Sequence, residues 1–294
     1  MTFVDGNLDQ QPLTDGVHDD RQPKNRNRRG QIFETRRENK LSDAVDILDL
    51  RQHVVMSTLT THQTAIPPSD RISAESIPVW AILPKHARDR HPVNVAIMSF
   101  MANRRSMVQQ GVPPDTFMGS SPRLEGLFDE KAFAAADDLS RWAIGFALGF
   151  SKAGMLQIVT THLAWYLMRW MIMPTPETYY SIPRWLRPIP DQVLIPHTIL
   201  TDFLIPPELR EAVLHCAAMQ EKSDWAAELS SIVDCQWPYQ IDAGLRRDGE
   251  TGRLSLNPLL RDHIGNMSNW SVGSKLRAFM PDADTYLRIQ NPEG

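Results

Sequence analysis

The chain has 294 residues, 42% hydrophobic and 22% charged, which is enough apolar material for one large domain or two modest ones. A formal net charge of -4 excludes a protein built throughout around nucleic acid, whose folded domains carry a positive excess. Cys216 and Cys235 lie outside any C-x-x-C pair or His cluster, which excludes a disulfide framework or a zinc ribbon and leaves two reduced thiols.

Met1 to Asp5 form neither a positive n-region nor an apolar h-region, so no secretory signal is expected. Residues 1–20 carry Asp5, Asp9, Asp15, Asp19 and Asp20 and no Lys or Arg. Residues 21–40 then form a basic block that includes Arg26, Arg28, Arg29, Arg36, Arg37 and Lys40, against only Glu34 and Glu38. Apolar side chains are too sparse here to offset the entropy of ordering, so 1–40 are expected to be a disordered acidic-then-basic arm. Leu41, Val45, Leu48, Val55 and Leu59 fall on one helical face, which predicts a short amphipathic helix over 41–60. Thr, Pro and Ser dominate 61–76, a linker.

The folded part is expected over 77–285, with 286–294 as a tail. Ile77 to Leu83, containing Pro78, is ambiguous between an edge strand and a buried helical turn. A largely apolar segment runs from Val93 to Met107, and Pro113-Pro114 and Gly119 to Pro122 mark a loop. Asp137 or Asp138 can cap a helix carrying Leu139, Trp142, Ala143, Phe146 and Phe150 at helical spacing, weakened by Gly149 and Gly154.

A second helix is predicted from Met155 to Met173, stopped by Pro174. His162 and Arg169 inside it argue against a membrane span. Thr175-Pro176-Glu177 reads as a new helix start. The prolines of 182–207 predict an extended segment wrapping the surface, anchored by Trp185, Leu186, Val193, Leu194 and Ile195. Pro207-Glu208 opens another helix and Trp225 to Ile232 a further one, before a loop-rich stretch from Trp237. The fold class is therefore mainly α: a single large helical domain with Pro-rich extended segments and a disordered N-terminal arm.

The basic arm is the first candidate for function, because Arg26, Arg28, Arg29, Arg36, Arg37 and Lys40 can meet DNA phosphates or form a nuclear import address. Leu41, Leu48 and Val55 are seven apart, which invites comparison with a basic leucine zipper. The comparison fails: counting from Asn25 or Asn27 puts Phe33 or Thr35 where an Arg is needed, and Gly30 interrupts the helix. A solvated charged tail carries about half the weight against these functional readings.

Asp137-Asp138 can be set beside metal-diphosphate sites, but Arg141 stands where a further acid is needed, so two favourable charges at a helix start explain them better. His197 and Asp202 can be an acid–base pair or two metal ligands; closing turns between Pro-rich segments carries more weight. The aromatics Trp142, Trp165, Tyr166, Trp170 and Trp185 belong more often to a core than to a ligand pocket. Were the chain an enzyme of cyclase or isomerase type, its polar groups would be Asp138, His162, His197 and Asp202 around an aromatic-lined cavity. No cofactor and no metal site is expected.

At 174–210 the text becomes distinctive: Pro174-Thr175-Pro176-Glu177-Thr178-Tyr179, Ile182-Pro183-Arg184-Trp185-Leu186-Arg187-Pro188, Gln192, Ile195-Pro196-His197, Asp202 and Pro206-Pro207-Glu208-Leu209-Arg210. With Leu163, Trp165 and Tyr166 before it, and Asn266 to Ser271 and Phe279-Met280-Pro281 after it, the stretch resembles one family. This is the fungal domain of unknown function found downstream of basic leucine-zipper regions in transcription-factor-like proteins of filamentous fungi. The resemblance covers roughly 77–285. It implies a nuclear, non-membrane regulator of transcription, often of a specialised-metabolite pathway, working through a helical interaction or ligand-sensing domain. The implied partners are DNA, met weakly through the arm, and a zipper or other protein. The departure is the DNA-reading half, which this chain lacks in standard form.

Overall fold

Met155–Ile172, the longest apolar run, is the helix on which the rest is built. The computed structural model describes residues 77–290 apart from 89, 206, 222–224, 226, 227, 229–231 and 288. The arm, the helix expected over 41–60, the linker and most of the helix expected over 225–232 lie outside the described residues.

In chain order the helices are α1 (Pro92–Gln109), α2 (Glu130–Ala134), α3 (Asp138–Phe150), α4 (Met155–Ile172), α5 (Pro176–Ser181) and α6 (Pro190–Leu194). They continue with α7 (Pro207–Leu214), α8 (Ala217–Glu221), α9 (Pro258–Gly265) and α10 (Ala283–Tyr286). Strands are few and short: β1 (Val233–Asp234), β2 (Leu245–Arg247), β3 (Leu254–Leu256), β4 (Ser271–Gly273) and β5 (Ile289–Gln290). β2 and β3 form an antiparallel hairpin, and β4 pairs antiparallel with β1 and parallel with β5. The fold is mainly α.

Each long helix follows from its punctuation. Pro92 at the first position of α1 lacks the amide hydrogen that would have no partner there, and Gly111, at φ 80°, turns the chain after the helix. Asp137 caps α3, accepting from the Ser140 amide at 2.8 Å. Gly154, at φ 103°, sets the turn from α3 into α4. Pro174 follows the end of α4, and Thr175 and Thr178 form a capping box on α5. No helix of the described residues is long and apolar enough to cross a membrane.

α4 is buried on nearly every face, as a central helix must be, with neighbours α1, α3 and α5. Trp165 and Trp170 are both 0% exposed. Removing each from water is worth up to roughly 4–6 kcal/mol by area. α1 turns Asn94, Ile97 and Met101 inward, and Arg105 donates to the Met171 carbonyl at 2.7 Å, satisfying the end of α4. Aromatic contact links three elements: Trp142 stacks on Phe100 (5.3 Å) and Phe146 (5.5 Å), and Phe146 packs on Phe203 (4.8 Å).

The Pro-rich segment differs from the expected surface wrap. Extended links alternate with single turns, Arg184–Leu186, α6 and Ile199–Phe203, and the chain dives inward. Ile182, Leu186, Ile199, Leu200, Leu204 and Ile205 are buried, whereas Leu194, an expected anchor, is exposed. A short extended link exposes few backbone groups, and each turn satisfies its own, so such a chain can enter a core.

Candidate functional site

Two stretches far apart in sequence are laid side by side beneath α4. The Trp170 indole donates to the Trp80 carbonyl at 2.8 Å, fixing the turn Val79–Ala81 on the central helix. Beyond it, the Lys85 amide donates to the Gln192 carbonyl (2.8 Å) and the Ala87 amide to the His197 carbonyl (2.8 Å). The His197 amide donates back to Lys85 (3.1 Å). This parallel bridge sets His86 beside His197. The reading of 77–83 as edge strand or helical turn resolves into a 3-10 turn followed by a single bridge.

The turn Ile199–Phe203 carries Asp202 back to the two imidazoles. Its start is pinned to two helices, since the Leu200 amide reaches Asn94 Oδ1 of α1 (3.4 Å) and the Thr198 amide reaches Gln220 Oε1 of α8 (3.2 Å). Asp202 is 1% exposed, and its carboxylate accepts from three directions. His86 Nε2 lies 2.6 Å from Oδ2, His197 Nε2 lies 2.9 Å from Oδ1, and the Gln192 amide nitrogen donates to Oδ1. Burial works against the carboxylate, but donation from His197 and His86 and the charge they carry hold its pKa far below the usual range.

His197 Nδ1 donates to the Ile195 carbonyl at 2.7 Å. Its other nitrogen faces Asp202, so both ring nitrogens meet acceptors and the ring is best satisfied as an imidazolium. Burial opposes that charge, yet the hydrogen bond and charge of Asp202 outweigh it and raise the His197 pKa above the ordinary histidine value.

Gln192 and Arg210 extend the network. The Gln192 carbonyl oxygen accepts from the Ile189 amide (2.9 Å) and Arg210 (3.3 Å), which turns its NH2 toward Asp202. Arg210, 0% exposed, also donates to the carbonyls of Trp185 (2.7 Å), Leu186 (2.9 Å) and Arg187 (3.3 Å). Burial pushes its pKa down to about 10, against the opposing pull of Asp202 and Glu208.

Of the four polar residues named from the sequence, the structure brings His197 and Asp202 together and leaves Asp138 and His162 elsewhere. Asp138 lines an open, polar cleft of about 410 Å³ with Thr116, Ser120, Arg123, Asp137 and Arg141. Its carboxylate is already taken by Arg104 (2.6 Å) and Arg141. His162 packs edge-on against Tyr166 in α4, ring centroids 4.8 Å apart. Burial first, then the charge of Arg261, lower its pKa to about 3, although the residue as a whole is only half-buried. The six basic residues of the arm lie outside the described residues.

Residues 165–279 match the family described as Domain of unknown function (DUF3425). The matched span takes in Gln192, His197, Asp202 and Arg210 and leaves His86 and α1 outside it. It lies within the stretch 77–285 over which the sequence resembles a domain of unknown function. No curated protein and no solved structure matches the chain.

Sequence reasoning missed His86, which lies 116 residues from Asp202 and stands in no motif. Gln192 and Arg210 stood in the distinctive 174–210 text but had no role there. The chemistry available to the cluster is ion pairing, proton holding and cation binding. With every Asp202 oxygen engaged inside the core, the cluster as built presents no free base to a substrate.

Proposed function

We propose that the chain is a fungal nuclear regulator of transcription, acting in a specialised-metabolite pathway, whose folded helical part makes protein contacts. The basic arm, residues 21–40, supplies nuclear import or weak, sequence-independent phosphate contact. The observation that supports this reading is the pairing of that basic block with a domain matched to DUF3425. The polar interior favours it over an enzyme, because Asp202, His197, Gln192 and Arg210 are spent on one another and on backbone carbonyls. The cyclase or isomerase alternative needs an aromatic-lined cavity, whereas Trp165 and Trp170 are 0% exposed in the packed core.

The test uses the full chain with Arg26, Arg28, Arg29, Arg36, Arg37 and Lys40 all replaced by Gln. Binding of labelled duplex DNA across a salt series should be weak for the parent, with a steep salt slope that flattens by up to about 5 in the variant. Nuclear accumulation of a fluorescent fusion should fall in parallel. An unchanged cellular distribution together with no DNA binding by the parent would refute the role given to the arm.

A further inference from the structure

We propose that His86, His197 and Asp202 form a site for one zinc-class dication, which clips residues 82–88 to the buried turn Ile199–Phe203. The argument starts from proton accounting. A carbonyl oxygen can only accept, so the Ile195 carbonyl requires a hydrogen on His197 Nδ1. In the neutral ring the remaining lone pair, on Nε2, then points at Asp202 Oδ1 from 2.9 Å. Two lone pairs cannot face each other in a dry core, so something positive lies between them: a second proton or a metal ion. A backbone carbonyl on the far ring nitrogen is also the device that fixes the tautomer and orientation of metal-binding histidines.

The rest of the donor set is in place. The second Asp202 oxygen faces His86 Nε2, and the ligand atoms of the three residues all lie within 4.8 Å of one another. Zinc bonds of about 2.0–2.2 Å at tetrahedral angles place neighbouring ligand atoms roughly 3.3 Å apart. The two His–Asp contacts, 2.6 and 2.9 Å, would open by roughly half an ångström, within the soft ring torsions of histidine. Two imidazoles and one Asp202 oxygen supply three ligands, and a water would complete four-coordination. Imidazole with carboxylate suits Zn²⁺, Co²⁺, Ni²⁺ or Cu²⁺ better than Mg²⁺ or Ca²⁺, which require an oxygen cage.

Arg210 is the obvious objection, a cation close to a proposed cation site. The Gln192 amide lies between them, accepting from Arg210 and donating to Asp202, so the guanidinium is directed at carbonyls and not at the ligand atoms. Gln192 thereby orients the carboxylate. Only the His86 side chain, 7% exposed, touches the surface, against 0% and 1% for His197 and Asp202. The ion would enter past His86, the one ligand that touches the surface. Its role is structural, holding the segment before α1 onto the domain.

The test uses the full chain freed of metal by chelator dialysis, then titrated with Zn²⁺ or Co²⁺ near neutral pH. The site predicts one equivalent bound, a melting temperature that rises with free Zn²⁺, and the visible absorption bands of tetrahedral Co²⁺. His86→Ala, at the outer edge, should raise the apparent dissociation constant at least about 10-fold. His215→Ala, which breaks a surface His–Asp pair at 2.8 Å, should leave it unchanged. No melting shift in the parent chain, or an equal shift in His86→Ala, would overturn the proposal and leave a proton in that place. Should His86→Ala not fold, the Co²⁺ spectrum of the parent decides: absence of tetrahedral bands sinks the site.

Discussion

Replacing Arg210 with methionine asks whether the buried network holds the fold. The guanidinium supplies the donors for three carbonyls, those of Trp185, Leu186 and Arg187, which sit where the chain enters the core. Methionine keeps the apolar stem and offers no donor. An unsatisfied buried acceptor costs about 2 kcal/mol, so three cost roughly 6 kcal/mol. Against this, burial disfavours the guanidinium itself, lowering its pKa from 12.5 to about 10, and its Nε has no partner. At about 1.4 kcal/mol per pKa unit, removing the charge returns roughly 3 kcal/mol. The balance is a loss of about 3 kcal/mol, in line with breaking a buried polar cluster on one side only. Urea unfolding followed by tryptophan fluorescence should show the midpoint falling by about 1 M for a slope near 3 kcal/mol/M. Arg210→Lys should lie between, because one ammonium cannot reach all three carbonyls. A methionine variant within about 0.5 kcal/mol of the parent would show that the carbonyls do not depend on Arg210, and the reasoning fails.

Two further outcomes are expected. The His162 pKa, lowered to about 3 from 6.5 first by burial and then by Arg261, means that the unfolded chain binds a proton the folded chain refuses. His162 therefore leaves stability intact above about pH 6.5, and stability drains away as pH falls toward about 3, by less than about 1.4 kcal/mol per pH unit because the residue is only half-buried. Urea midpoints at pH 6, 5 and 4 should fall less steeply for His162→Phe than for the parent, and identical slopes would place the titration elsewhere. Asp137→Ala removes the cap that accepts from the Ser140 amide and hydroxyl, both at 2.8 Å. It should cost about 1 kcal/mol, with Asn at the same position restoring most of it; an Ala variant as stable as the parent would deny the cap its role.

α3 and α4 were legible, α3 from a 3.6-residue apolar period behind Asp137 and α4 from a long apolar run between Gly154 and Pro174, whereas α1 read only as an apolar segment after Pro92. The strands were not, since β1 and β5 have two residues each and β2 three, too short for alternation to rise above chance. The direction of the Pro-rich segment was also hidden. Proline fixes φ and removes a donor, which marks a break in a helix but leaves open whether the broken chain lies on the surface or inside.

The network was half legible for a related reason. His197 and Asp202 are five apart, a spacing that aligns nothing on an α-helix, and only the 3-10 turn between them brings Nε2 within 2.9 Å of Oδ1. His86 arrives through a parallel bridge with no pattern of its own. Such a cluster is expensive: an apolar set of the same volume is usually as stable or more so. Two histidines, an aspartate, a glutamine and an arginine in one core therefore need a reason beyond stability. Register is one candidate, since the His86–Asp202 contact goes with the backbone bonds of Lys85 and Ala87 to Gln192 and His197 and so fixes how 82–88 and 185–202 meet. Cation binding is the other, and the two part experimentally. A register device should hold its geometry with metal removed, and every ligand substitution should cost stability whether or not Zn²⁺ is present. An ion clip should make the cost of His86→Ala appear only in the presence of the ion.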